Sequence, residues 1–228
     1  MKTTWIKMTA FLMAAMLTAM TLTSCTGGKV GEESETTAET AADTSVAATS
    51  NAAVRTGSEG LSFTVTGNGK CTLTGLGTCA DTAVSIPATD EAGNTVTAIA
   101  AGAFKSTRVS AVEIPETVVE IADGAFEGCT KLSYISVSLR NADYRSVDGV
   151  LYDAGMTTLI CYPGARADQT LSIPSTVTVI APYAFSDCTT LKTVEFAGSS
   201  DEWKGVNVGD DNAVLANAKV SYAKENGK

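Results

Sequence analysis

The sequence predicts a short, mostly β solenoid of the α/β class, and three observations predict it. First, a block recurs: Ile99-Ala100-Ala101-Gly102-Ala103-Phe104, Ile121-Ala122-Asp123-Gly124-Ala125-Phe126 and Ile180-Ala181-Pro182-Tyr183-Ala184-Phe185 share an Ile, a spacer run and a closing Ala-Phe. Second, each block is preceded by an Ile-Pro pair, at Ile86-Pro87, Ile114-Pro115 and Ile173-Pro174. Third, the spacing repeats as well as the residues, since twelve positions separate Ile114 from Phe126 and Ile173 from Phe185. A unit this small cannot bury its apolar face alone, so neighbouring units must stack.

Each element follows from the residues in order. Leu61 to Leu73 reads as a β-hairpin turning at Gly67-Asn68-Gly69, a cap on the first unit. Within a unit, Val112-Glu113-Ile114 alternates apolar and polar as a strand does. Pro115 then lacks the N–H a ladder needs, and turns the chain. Val118 and Ile121 point back into the core from a second short strand, Gly124 permits a bend, Ala125 packs where space is tight and Phe126 fills the coil. Glu127 to Lys131 is expected as a helical or irregular turn, with Leu132 leading into the strand Tyr134-Ile135-Ser136-Val137. Ala-Phe recurs after 22 residues between Phe104 and Phe126 but after 59 between Phe126 and Phe185, so that interval carries an insertion of about a coil and a half. The first unit departs from the others, with Thr107 where they have Cys129 and Cys188 and with Val109 near the Leu132 and Leu191 position.

The N-terminal quarter is of another kind. Lys2 and Lys7 precede an uncharged run from Met8 to Leu22 that is too short and too weakly apolar for a confident membrane span, which is the pattern of an export signal. Leu22-Thr23-Ser24-Cys25 resembles a lipobox, in which cleavage before the cysteine leaves a lipidated Cys25 as the first mature residue. An ordinary secretory signal with an incidental cysteine is the competing reading. Residues 26 to 57 are rich in Thr, Ala, Ser and Glu, lack aromatic residues, and cannot bury enough apolar area to offset the entropy of ordering. They read as a flexible tether with a mean span on the order of 30 Å, the Ala-rich stretch from Ala38 to Ala53 being the alternative place for a helix. The expected organisation is a signal peptide over 1–24, lipidated Cys25 and linker over 25–57, the repeat domain over 58–223 and a polar tail over 224–228.

Composition excludes several functions. The chain of 228 residues carries 16 basic and 25 acidic residues, a net charge of −9; removing Lys2 and Lys7 with the signal leaves 14 against 25, or −11. Such a surface suits no nucleic acid, because phosphate binding needs clustered Lys and Arg. The chain has no histidine, which removes the usual general base and the commonest metal ligand. No enzyme activity, metal or cofactor is expected.

The Ile, Gly or Tyr, Ala-Phe blocks, together with Gly128-Cys129-Thr130-Lys131-Leu132 and Asp187-Cys188-Thr189-Thr190-Leu191, resemble the BspA-like, or Treponema-type, leucine-rich repeat family. Tyr144, Asp148-Gly149-Val150-Leu151-Tyr152 and Leu159-Ile160-Cys161-Tyr162-Pro163 look like that family's hairpin-bearing repeat, and Phe196-Ala197-Gly198 with Glu202-Trp203 and Val220-Ser221-Tyr222 like its closing segment. The resemblance implies a leucine-rich-repeat surface lipoprotein, exported and held at the bacterial cell surface by Cys25, that binds extracellular proteins or glycans without catalysis. The alternative is a structural or accessory subunit of an envelope assembly. Tyr134, Tyr144, Tyr152, Tyr162 and Trp203 are the candidates for ligand contact, because exposed aromatic residues supply most of the area in recognition sites.

Other residues carry weaker signals. Of the cysteines beyond Cys25, Cys129 and Cys188 sit at equivalent positions of different coils and read as small core residues, while a Cys71–Cys79 bridge across the cap stays open. Gly209-Asp210-Asp211-Asn212 lacks the alternating spacing of a calcium loop and reads as a polar turn. Asp201-Glu202 are adjacent, a poor arrangement for paired catalytic carboxylates.

Overall fold

A computed structural model describes residues 57–105 and 108–224. The expected signal peptide, Cys25 with its preceding Leu22, Thr23 and Ser24, the expected linker up to residue 56, Thr107 and the last four residues lie outside the described residues.

The described chain winds through short strands that pair from coil to coil. Strands β1 (Ser62–Gly67) and β2 (Lys70–Gly75) form the expected cap hairpin, turning on Asn68-Gly69 with φ of 52° and 69°, the left-handed pair that a two-residue hairpin loop demands. There follow β3 (Ala83–Ser85) and β4 (Thr95–Ile99), β5 (Ala111–Ile114) and β6 (Glu120–Ile121), then β7 (Tyr134–Val137). An inserted hairpin, β8 (Tyr144–Val147) and β9 (Val150–Asp153), precedes β10 (Thr158–Cys161). The coil formed by β11 (Thr170–Ile173) and β12 (Val179–Ile180) is regular. The next passes from β13 (Thr193–Phe196) through helix α1 (Ser200–Lys204) to β14 (Asn207–Val208), and helix α2 (Ala213–Asn217) leads to β15 (Lys219–Tyr222).

One face of the solenoid is built from two parallel sheets, β3-β5-β7 and β11-β13-β15. The opposite face has β2-β4-β6 and β10-β12-β14, likewise parallel, with β9 and β8 added antiparallel at the edge of β10. Each face therefore holds six parallel strands among the described residues, about six turns of a mostly β solenoid with two short helices, as the sequence predicts. The coil-to-coil ladder continues around the corners: Ala100 N donates to Leu73 O, Ala122 N to Ile99 O, Gly102 N to Gly124 O and Phe104 N to Ala125 O, all between 2.9 and 3.0 Å.

The inward rows are aliphatic and buried, Val84-Val112-Ile135 and Leu171-Val194 among them. At the corner, the Phe104 and Phe126 rings stack at 5.2 Å between centroids and 9° between planes. Tyr162 stacks on Phe185 at 5.3 Å, and its N–H donates to Ala184 O at 2.8 Å, as Phe104 does to Ala125. Cys161-Tyr162 is thus the Ala-Phe corner of the hairpin-bearing coil, which explains the interval of 59: it contains one further coil plus a hairpin.

That hairpin partitions the interior. Val150, Leu151 and Tyr152 are all buried, where a surface strand alternates. Leu151 packs with the core of residues 71–135 and Cys161, while Val150 and Tyr152 pack with that of Leu159, Tyr162 and residues 171–196. Successive side chains of β9 thus feed two half-cores on opposite sides of it. Burial pushes the Tyr152 phenol up to about 12 from its ordinary value near 10. Its proton is then held more tightly in the folded state, so this stabilisation is whole below pH 10 and is lost as pH rises from about 10 to 12, on the order of 2–3 kcal/mol. Urea titrations at pH 9 and 12 on wild type and Tyr152→Phe check it, because the variant's loss over that interval should be smaller.

Of the helical or irregular turn expected at Glu127 to Lys131, the structure shows the irregular form. Glu127 N donates to Gly124 O, Cys129 N to Phe126 O and Leu132 N to Cys129 O, a succession of three-residue turns that never becomes a helix. The five cysteines among the described residues are buried and none is disulfide-bonded. The Cys71 thiol instead lies 3.6 Å from the Asn94 and Thr95 carbonyl oxygens, and Cys129 donates to Phe104 O of the preceding coil at 2.8 Å.

Asx side chains bind the irregular corners. Asp90 Oδ1 accepts from the N–H groups of Ala92 and Asn94, and Oδ2 from the Asn94 side chain, which leads the effects that hold its carboxyl below the usual range. Asn141 donates to Pro115 O and Val118 O. Asn212, 7% exposed, accepts from Phe185 N at 2.9 Å and donates to Ala181 O, Gly209 O and Asp210 O at 2.9, 2.8 and 3.2 Å.

Candidate functional site

Two surfaces carry side chains that the core does not require. On the first face, the outward positions of the parallel strands form two columns. One column reads Ser85-Glu113-Ser136 in the first sheet and Ser172-Glu195-Ser221 in the second. Its hydrogen bonds repeat too: Ser85 Oγ donates to Glu113 and Ser172 Oγ to Glu195, each at 3.1 Å, while Ser136 Oγ reaches Val112 O and Ser221 Oγ reaches Val194 O, each at 3.4 Å. The other column varies, with Ala83, Ala111 and Tyr134 followed by Thr170, Thr193 and Lys219.

Tyr134 is held firmly. Gly149, at φ 80°, lets the β8–β9 turn tuck beneath its ring, where a Cβ would lie 2.5 Å from Tyr134 Cδ2. From the other side Arg166 donates to Asp148 O, pairs with Asp168 at 2.6 Å and lies 5.5 Å over the Tyr162 ring. At 49% exposure Tyr134 stands at the gap between the two sheets.

The second surface is an open groove of about 670 Å³ along the Ala-Phe corners. Tyr183, Asp211 and Asn217 line it with Glu127, Asp187 and Val214. Tyr183 occupies the repeat position held elsewhere by Gly102 and Gly124, and keeps their left-handed backbone, φ 61° against 68° and 69°. For a bulky residue this is a costly conformation. Its ring packs over Gly124, 3.4 Å from where a Cβ would be, and its phenol faces the Asp211 carboxylate, whose charge pushes its pKa up. Glu127 is engaged by Lys105 at 3.0 Å. Asn212 anchors the loop beneath, and Tyr183 N donates to Asp210 O at 2.9 Å.

The aromatic candidates do not assemble. Tyr152 and Tyr162 are each 2% exposed and are withdrawn as ligand contacts, the first because β9 is buried on both sides and the second because it fills a Phe position. Tyr144 is half-buried, its hydroxyl accepting from Ile121 N at 3.0 Å and donating to Val119 O. Trp203, on α1, packs against Phe196 at 5.2 Å. Tyr134 keeps an exposed ring. Sequence reasoning missed Tyr183, although the aligned blocks contained the signal: a Tyr where the other two copies have Gly. Asp201 and Glu202 have structural roles, Glu202 closing a capping box on Ser199 and Asp201 pairing with Lys204 at 2.8 Å. Among the described residues no three His, Cys, Asp or Glu side chains converge as metal ligands, the Asp210-Asp211 turn included.

Parallel ladders on two faces, with aromatic corners between them, define a leucine-rich-repeat solenoid. The sequence profile described as the BspA type leucine rich repeat region matches residues 89–146 and 162–204 in six copies, and the chain is similar to that bacterial, surface-type family. Among solved structures, the pneumococcal vaccine antigen PcpA is 24% identical over 60% of this chain and 33% of its own, with a TM-score of 0.50. A leucine-rich repeat protein from Eubacterium ventriosum is 27% identical over 57% of this chain and 41% of its own, with a TM-score of 0.45. The Treponema pallidum leucine-rich repeat protein is 20% identical over 67% of this chain and 79% of its own, with a TM-score of 0.41. The chain thus spans less than half the length of the first two. No curated protein matches it.

Proposed function

We propose that this protein is a bacterial cell-surface lipoprotein that presents its repeat domain for binding to extracellular proteins or glycans, without catalysis. The observation that carries the reading is the first face, where the inward rows and the Ser-Glu-Ser column repeat while the column beside them varies and ends in a clamped, exposed Tyr134. Residues free to vary without disturbing the core, on a rigid support, are what a recognition surface needs. BspA-type repeats are generally non-catalytic, and the absence of histidine from the chain accords with that. A lipid anchor at Cys25 and an acidic linker would hold this face away from the bilayer.

Two measurements test the proposal. The mature protein, screened against arrayed matrix proteins, mucins and glycans, is expected to show saturable binding to at least one; a blank from a folded sample would favour an envelope-assembly role. Cys25→Ala is expected to move the protein out of the membrane fraction, because two acyl chains anchor stably where one does not. Retention of the variant in that fraction would refute lipidation at Cys25.

A further inference from the structure

We infer that the groove walled by Tyr183 is a binding site for a neutral, hydroxyl-rich saccharide; this rests on the reading of the protein as a binding module. The groove is large enough, at about 670 Å³, for one or two sugar rings. Its chemistry is that of a surface meeting both faces of a sugar. Tyr183 and Val214 offer apolar area to ring C–H groups, while Asp187 and Asp211 offer carboxylate oxygens and Asn217 an amide to hydroxyl groups. Acceptors outnumber donors in this lining, so the ligand must bring donors, and the Asp187 and Asp211 carboxylates, which form no ion pair among the described residues, turn away sialylated, sulfated or phosphorylated ligands.

The residue at position 183 is the second argument. Two other copies of this corner are built with glycine at the same backbone angle, so the coil does not need a side chain there. A tyrosine has been placed against that preference, over Gly124 and beside Asp211, at the wall of the groove. The Asn212 hydrogen bonds hold the Asp210-Asp211 turn against the same corner, so the wall is set before any ligand arrives.

Tyr183→Gly is the decisive variant, because it restores the residue of the other copies and should keep the fold, as its thermal unfolding will show. Wild type and variant, as full mature chains, are to be titrated with neutral oligosaccharides containing galactose or N-acetylglucosamine, and with their sialylated and sulfated counterparts. Wild type should bind a neutral member and reject its anionic forms. Tyr183→Gly should bind it roughly three- to tenfold more weakly, the effect of removing one aromatic contact, and Asn217→Ala should also weaken it. Equal binding by Tyr183→Gly, a preference for anionic sugars, or binding of protein ligands with no saccharide would overturn the groove assignment while leaving the binding-module reading intact. No binding of any extracellular ligand would overturn both.

Discussion

Asn212→Ala is expected to lower the unfolding free energy by about 3 kcal/mol, measured by urea denaturation at neutral pH. The side chain makes four hydrogen bonds at a position only 7% exposed. Truncation strands the Phe185 N–H inside the corner and unties Ala181 O from the Gly209-Asp210 turn, and a buried group left without a partner costs more than the bond itself contributed. Asn212→Asp should separate geometry from charge. Its carboxylate could still accept from Phe185 N, but its second oxygen would face three carbonyl oxygens where an amide now donates. Burial and those oxygens favour the protonated form, so the folded pKa lies above the ordinary value near 4. The variant is then most nearly native in acid, and loses stability as pH rises through the carboxylate range. A destabilisation independent of pH would mean that the corner opens and hydrates the new charge.

The second large effect is expected at the stacked rings. Phe104 is fully buried and lies 5.2 Å from Phe126, so Phe104→Ala removes a large apolar side chain from a site with little room to collapse. The expected cost is about 3–5 kcal/mol. The same change at Phe185, stacked on Tyr162, should cost as much. Phe104 and Phe185 belong to different half-cores. Their effects in the double variant should therefore add to within about 0.5 kcal/mol, whereas Phe104→Ala with Phe126→Ala should fall short of the sum. Strong coupling between Phe104 and Phe185 would show that β9 does not insulate the two halves.

Much of this was legible because solenoid coils write their geometry into spacing. Ile-Pro marked the ends of β3, β5 and β11, and Ala-Phe marked the corner, so Ile114 to Phe126 and Ile173 to Phe185 read as equivalent passes. Asn68-Gly69 announced the cap hairpin through the backbone angles it permits. What escaped was whatever depends on context beyond one coil. Tyr152 belongs to a strand that the pattern of period two would leave half-exposed, and only the presence of a core on each side buries it. Tyr162 was read as an aromatic residue available for contact because Cys161-Tyr162 does not resemble Ala-Phe, although it fills the same volume. Tyr183 was visible as a departure from Gly102 and Gly124, but departures at a glycine position read as tolerance until the backbone angle shows that the position still asks for glycine. The groove itself gathers residues from three separate passes of the chain, and no local pattern predicts that.

The partition by β9 has a mechanical consequence. Coils touch only their neighbours, so tension applied to the far end would release them in order, beginning with the pass that closes on β15. Each freed pass of the size separating Val194 from Val220, 26 residues, would pay out roughly 90 Å of chain. Release would slow at β9, whose side chains are gripped by two half-cores at once and whose turn is pinned by Tyr134 and Arg166. A molecule built this way absorbs a tug by lengthening, and keeps its inner coils folded while it does so.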